Sequence, residues 1–371
     1  MKLIQTNRND LLGPLQAVSG IVEKRHTLPI LSNVLIERIA NQVHLLATDL
    51  EIQITTSFSN PQKNAEDAQV TVSARKLQDI LRALPEKTEI ILEIQQNRLQ
   101  LKAGKSRFNL QMLPAEDLPK LGPITAQGTA EINVSQKELR SLLLLVQYAM
   151  AQQDIRYYLN GMLLVIEDEI LKAVATDGHR LAYATLALEK KTSVHQEIIL
   201  PRKAIQEIVK LLEETENKVG LNISPTQARF CFGTVDLITK VVDGKFPDYT
   251  RVIPENHTKE LVLDRETLQG ALQRVAILAS EKFHGVRWNL SDGLLRISCI
   301  NNQQEEATEE IDVLYEGESL DMGFNVTYIL DVLNNLGSDK VVCSLGDASS
   351  SMLITIPNDK HFRYVVMPMR I

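Results

Sequence analysis

KLIQTNRNDLLGPLQAV, Lys2 to Val18, reads as a short alternating strand that runs into a helix-periodic segment. The plan returns as EINVSQKELRSLLLLVQYA (131–149) and LVLDRETLQGALQRVAIL (261–278). Leu11, Leu139 and Leu268 occupy matching places, 128 and 129 residues apart. A second trio lies between: VTVSARKLQDILRAL (70–84), EIILPRKAIQEIVKLL (197–212) and MGFNVTYILDVLNNL (322–336). Here Ala74, Pro201 and Asn325 are read as equivalent, and two copies share an Arg-Lys pair, at 75–76 and 202–203.

β-rich alternating runs follow each helix, such as VHLLATDLEIQITT (43–56) and LKAVATDGHRLAYATLAL (171–188), which share a Thr-Asp step. The unit is strand–helix–strands, about 60 residues long and present six times. Two units make an ordinary domain. The expected domains are 1–125, 129–254 and 255–371, with joints at TAQGT (125–129) and IPENHT (253–258). Such a plan predicts an α+β fold of three similar domains, each with helices on one side of antiparallel sheet.

Apolar residues make up 44% of the 371, enough for real cores, and no apolar run approaches the roughly 20 residues of a membrane helix. The N-terminus lacks the apolar segment of a signal peptide. Cys231, Cys299 and Cys343 are odd in number and far apart, which favours a reducing cytoplasm over a disulfide framework. The net charge of −7 repels nucleic acid at long range, so a DNA-handling role requires the basic residues to gather on one face. The helices offer Arg75, Lys76, Arg202 and Lys203, either as ordinary solvated faces or as such a gathering.

A ring tests the second possibility. With axes about 10 Å apart and helices about 10 Å thick, six helices leave about 9 Å clear. A duplex with grooves about 12 and 6 Å wide does not pass. Twelve helices leave about 28 Å. A DNA ring of this kind is therefore a two-fold homodimer.

Catalysis finds no foothold. TDGHR (176–180) holds an Asp and a His, but no nucleophile motif, P-loop or dinucleotide fingerprint accompanies it, and the seven histidines lack metal spacing. Asp177 is read as a turn-capping residue, and no cofactor or metal is expected. The tail YVVMPMRI (364–371) is either a last core strand or an apolar surface kept for another purpose. An interdomain enzyme and a non-topological DNA-binding regulator remain the competing classes.

TLPILSNVLIE (27–37), ATDLE (47–51), QQDIRYYLNGML (152–163), VATDGHRLA (174–182), VDGKFPDYTRVIP (242–254), EKFHGVR (281–287), FNVTYILDVLN (324–334) and YVVMPMR carry an end-to-end resemblance to the bacterial β sliding clamps, the processivity subunits of DNA polymerase III. The resemblance implies a DNA-clamp fold and a cytoplasmic, nucleoid-associated homodimer around duplex DNA, bound without sequence preference. Helices would line the ring and sheets form its wall. It also implies a non-catalytic role: an apolar pocket docks short linear motifs of the polymerase, the clamp loader and repair proteins.

By the same resemblance that pocket takes Leu159, Thr176, Gly178, His179, Arg180 and Leu181 from the middle of the chain. Pro247, Arg251, Val252, Asn325, Tyr328 and Ser351 follow, and the tail gives Val365, Val366, Met367, Pro368, Met369 and Arg370. Methionine suits a pocket that takes several ligands. DNA contact falls to Arg25, Gln153, Tyr157, Tyr158, Arg202 and Lys203, although either tyrosine reads equally well as core. Ring closure would set Lys76, Lys105, Arg107, Phe108 and Leu110 of one copy against Ile277, Leu278, Glu305, Glu306 and Glu309 of the other, and opposite charge fixes the register. Three positions depart from the family pattern: Ser349 stands where an apolar residue is expected, Ile371 replaces a leucine, and Gln303 replaces an acid.

Overall fold

The computed structural model describes residues 1–23, 28–60, 66–124, 130–191, 195–280 and 282–370. Six α-helices occur among them: α1 (Arg8–Ser19), α2 (Ala74–Ala83), α3 (Gln136–Gln147), α4 (Arg202–Leu211), α5 (Arg265–Ala276) and α6 (Val326–Asn335). Every one begins at the residue after a strand ends. The fourth residue of each helix is Leu11, Leu77, Leu139, Ile205, Leu268 or Ile329, and all six have 0% exposure. This position lies about one turn from the junction and fastens the helix onto its sheet. The helical period then carries burial to the seventh and eighth positions, Ile208 and Val209 in α4 and Val332 and Leu333 in α6.

Counting from the junction corrects one expected equivalence. Ser73, Pro201 and Asn325 are the last strand residues, so Ala74 matches Arg202 and not Pro201. The two Arg-Lys pairs are therefore one residue, about 100° of helix, out of phase. Arg75 and Lys76 are exposed, whereas Arg202 and Lys203 are half-buried. The buried aliphatic positions set the phase, and the shared charged letters do not. Ser73 caps α2 through the Lys76 amide and Asn325 caps α6 through the Thr327 amide, the usual use of such side chains at a helix start.

Among the described residues all strand pairings are antiparallel, in sheets of twelve, eight and four strands. Two ladders sew successive repeat pairs together: Ile52–Ser59 pairs with Val235–Lys240, and Arg180–Ala187 with Phe362–Val366. The chain accordingly condenses into two compact units, residues 1–137 with 206–241, and residues 138–205 with 242–371. The middle repeat pair contributes to both.

Candidate functional site

In the second unit, Ile170–Thr176, Arg180–Ala187 and Phe362–Val366 lie side by side. Side chains alternate between the faces of a sheet. Thr176, Leu181 and Val365 are direct cross-strand neighbours and so share one face. The segment from Val242 to Ile253 crosses this face and packs Phe246, Tyr249 and Val252 onto Leu163, Val174 and Leu181. The cover leaves a cavity of about 190 Å³. Leu159, Thr176, Leu181, Pro247, Tyr249, Val252, Val365 and Met367 line it, with Arg156, Gly178, His179 and Arg180.

The tail is a core strand with an exposed end. Phe362–Val366 is a core strand, with Val366 wholly buried, and the chain then emerges so that Met367 is 43% exposed at the cavity. The Met367 amide donates to the His179 carbonyl at 2.9 Å, and the Met369 amide to the Gly323 carbonyl at 2.8 Å.

TDGHR forms the turn expected of it. Asp177 Oδ1 accepts from the amides of His179 (2.9 Å) and Arg180 (3.1 Å). Thr176 Oγ1 accepts from the Gly178 amide and donates to the Arg180 carbonyl. The earlier Thr48-Asp49 step makes the same bonds, to Leu50, Glu51 and Ile52. The turn therefore belongs to the repeat, and only its second copy borders this cavity.

Gly178 has φ +92, a conformation costly for other residues, and an added Cβ would lie 3.1 Å from the Arg156 guanidinium. That guanidinium is pinned by Asp154 at 2.8 and 3.0 Å, and its hydrogen bond holds the Asp154 carboxyl down at about 2. Gly178→Ala is expected to cost about 1–2 kcal/mol of stability and to displace Arg156. Thermal melts read the first effect, and a Tm equal to that of the native chain contradicts it.

Arg180 supports the cavity from behind. Only 9% of its side chain is exposed. Its nitrogens donate to Asp177 (3.0 Å), Asp331 (2.6 Å) and the Tyr148 carbonyl (2.6 Å), and its guanidinium lies 4.5 Å from the centre of the Tyr328 ring. Burial opposes its charge, yet the surrounding Tyr364, Asp331 and Asp177 raise its pKa above the ordinary arginine value.

Ten of the residues expected in the pocket thus come together: Leu159, Thr176, Gly178, His179, Arg180, Leu181, Pro247, Val252, Val365 and Met367. The other eight lie outside this cavity. Val366 pairs with Arg180 and Met352 in the core. Arg251 is exposed and paired with Asp248. Asn325 caps α6, and Tyr328 lies beside the Arg180 guanidinium. Ser351 offers its carbonyl to His257, while Pro368, Met369 and Arg370 continue the tail. Arg156 and Tyr249 were not foreseen, although both stand inside quoted family blocks between residues that were. Ser349 closes a loop by bonding Asp347 and does not reach the cavity, and Ile371 is outside the described residues.

Of the DNA candidates, Arg25 is also outside the described residues. Gln153 is exposed at φ +54. The two tyrosines separate: Tyr157 is exposed, and Tyr158 packs against the apolar cluster behind the cavity. Arg202 donates to the Met150 carbonyl at 2.8 Å, and burial lowers its pKa; Lys203 is half-buried.

The closure candidates lie on or beside two edge strands, except Lys76, which is on α2. In the first unit, among the described residues, 106–111 pair on one side only, with 98–103. Lys105 and Arg107 are exposed there, Phe108 is half-buried and Leu110 is buried. Lys76 and Leu110 line an open cavity of about 890 Å³ together with Arg98. In the second unit, Glu306–Asp312 is a terminal strand. Nearby Ile277 is 78% exposed and Leu278 half-buried. Glu309 is held by Arg274 at 2.7 and 2.8 Å, and Glu305 by Asn301 at 2.6 Å.

Six strand–helix–strands units, paired and joined through their sheets, define the DNA-clamp fold. The chain matches the N-terminal, central and C-terminal domains of the DNA polymerase III beta subunit over residues 1–122, 133–248 and 250–370. It is 44% identical to the beta sliding clamp of Pseudomonas aeruginosa over 366 residues, 98% of each chain. The Escherichia coli clamp is 42% identical over 364 residues, again 98% of each. A crystal structure of the P. aeruginosa clamp bound to griselimycin superposes with a TM-score of 0.95 at 43% identity, over 100% of both chains. The chain belongs to the bacterial β sliding clamp family, the non-catalytic processivity subunits of DNA polymerase III.

Proposed function

We propose that two copies of this chain close into a ring around duplex DNA, and that the ring tethers replication and repair proteins through short linear motifs docked at Met367. The observation that carries the reading is the apolar cavity assembled from the TDGHR turn, the 242–253 segment and the tail. A small apolar cavity with a few polar groups at its border is an ordinary ligand site. The griselimycin-bound relative supports it, because a clamp 43% identical to this chain takes up a ligand.

Two unpaired strand edges of opposite charge support closure of a ring from two copies. Three domains, at 1–125, 129–254 and 255–371, would then repeat around each half. Within the ring, Arg25, Gln153, Tyr157, Tyr158, Arg202 and Lys203 are proposed to touch DNA. Such contacts go to phosphates and carry no sequence preference, which allows sliding. The replicative polymerase, the clamp loader and repair proteins are the proposed partners, in the cytoplasm at the nucleoid. No helix among the described residues is long and apolar enough to cross a membrane.

The test loads the protein onto nicked circular DNA with a clamp loader and washes in high salt. Retention on circles, with loss after linearisation, is the expected result. Equal loss from both substrates is the behaviour of an electrostatic binder and overturns the ring.

A further inference from the structure

The sheet face that floors the cavity continues past it. Two residues along the strands from the Leu181–Val365 pair, Tyr183 and Arg363 are direct cross-strand neighbours on that same face. Two strand residues span about 6.8 Å. Tyr183 is half-buried and Arg363 exposed. The Tyr183 ring centre lies 6.0 Å from that of Tyr249, which lines the cavity, and the Arg363 guanidinium lies 5.9 Å from the Tyr183 ring. The cavity wall therefore passes through two aromatic rings to a cation. Arg363 has no carboxylate partner among the described residues, whereas Lys172, a further row along the face, is paired with Glu167.

We infer that Tyr249, Tyr183 and Arg363 form a second subsite, which takes an acidic side chain of the docked peptide about two residues from its apolar anchor. The inference rests on the reading of the cavity as a peptide site. An extended peptide whose anchor fills the cavity reaches Arg363 within the length of two residues, matching the row spacing of the sheet. The Tyr183 ring orients the guanidinium and leaves its hydrogen-bonding edge for a carboxylate, the geometry in which arginine outperforms lysine. Charge complementarity and continuity with the cavity both select an acidic peptide as the occupant.

Fluorescein-labelled decapeptides with two adjacent large apolar residues as anchor, and Asp two residues to one side or the other, test this by anisotropy. The better of the two is compared with its Asn counterpart. On the native protein the Asp peptide is expected to bind about fourfold tighter, the scale of one partly exposed ion pair, with the advantage shrinking in high salt. On Arg363→Ala the two peptides are expected to bind equally, each no better than the Asn peptide on the native chain. Melting curves show that the variant is folded. Equal binding of Asp and Asn peptides to the native chain overturns the second subsite and leaves the cavity reading intact. Failure of every peptide to bind overturns both.

Discussion

Replacing Glu306 with lysine is expected to convert the dimer to monomers at concentrations where the native protein is dimeric. Glu306 begins the terminal strand, pairs through its backbone with Ile300, and is exposed, with no ion-pair partner for its carboxylate among the described residues. It differs in this from Glu309, which Arg274 already grips through both oxygens. Lys105 and Arg107, on the edge proposed to face it, are likewise exposed. Reversing one charge removes an attraction and adds a repulsion. At an interface where coupled charges are worth about 1.5 kcal/mol or more, the change is roughly 2 kcal/mol per contact.

A two-fold ring contains that contact twice. The penalty therefore doubles to about 4 kcal/mol, close to a thousandfold in the dimer constant. Sedimentation equilibrium or mass photometry reads it directly. Glu309→Gln serves as the contrast, because it loosens an internal tie and is expected to lower stability more than dimerisation. A dimer constant unchanged in Glu306→Lys removes that residue from the interface.

Ending the chain at Val366 is expected to weaken motif binding on the order of a hundredfold while sparing the fold. The last ladder position of the tail strand, Arg180 opposite Val366, survives the cut. Two main-chain hydrogen bonds are lost, from Met367 to His179 and from Met369 to Gly323, at about 1 kcal/mol each. The cavity, however, loses the Met367 side chain from its wall. Removing one large apolar contact from a buried ligand costs about 1.5–3 kcal/mol; with the remaining tail gone too, affinity falls on the order of a hundredfold. Anisotropy with a motif peptide measures this, and circular dichroism confirms the fold. Undiminished affinity in the shortened chain moves the site away from the tail.

The fold was legible because burial repeats with the period of the secondary structure. Leu11, Leu139 and Leu268 were matched from letters alone, and all three are fully buried at the same helical position. The second trio misled by one residue, because Arg75-Lys76 and Arg202-Lys203 look alike while a strand–helix junction leaves no letter of its own. The cavity was legible where neighbouring residues share a turn, as in TDGHR. It was less so where tertiary packing decides which side chain faces in. Arg156 enters because Asp154 holds it across Gly178, and Tyr249 because its ring meets Tyr183. The Asp154–Arg156 pair is local, but its approach to Gly178 and the meeting of Tyr249 with Tyr183 are not. Val366 shows the converse: it stands beside a cavity residue, but the alternation of a strand turns it to the core.

The seam between Arg180–Ala187 and Phe362–Val366 joins the second repeat pair to the third, and the cavity draws walls from both sides of it. Occupancy and cohesion are therefore thermodynamically linked. A ligand that needs both walls is released when the seam opens, and so it stabilises the closed seam by an amount that grows with its concentration over its dissociation constant. Any such ligand acts as a removable rivet on the segment it grips.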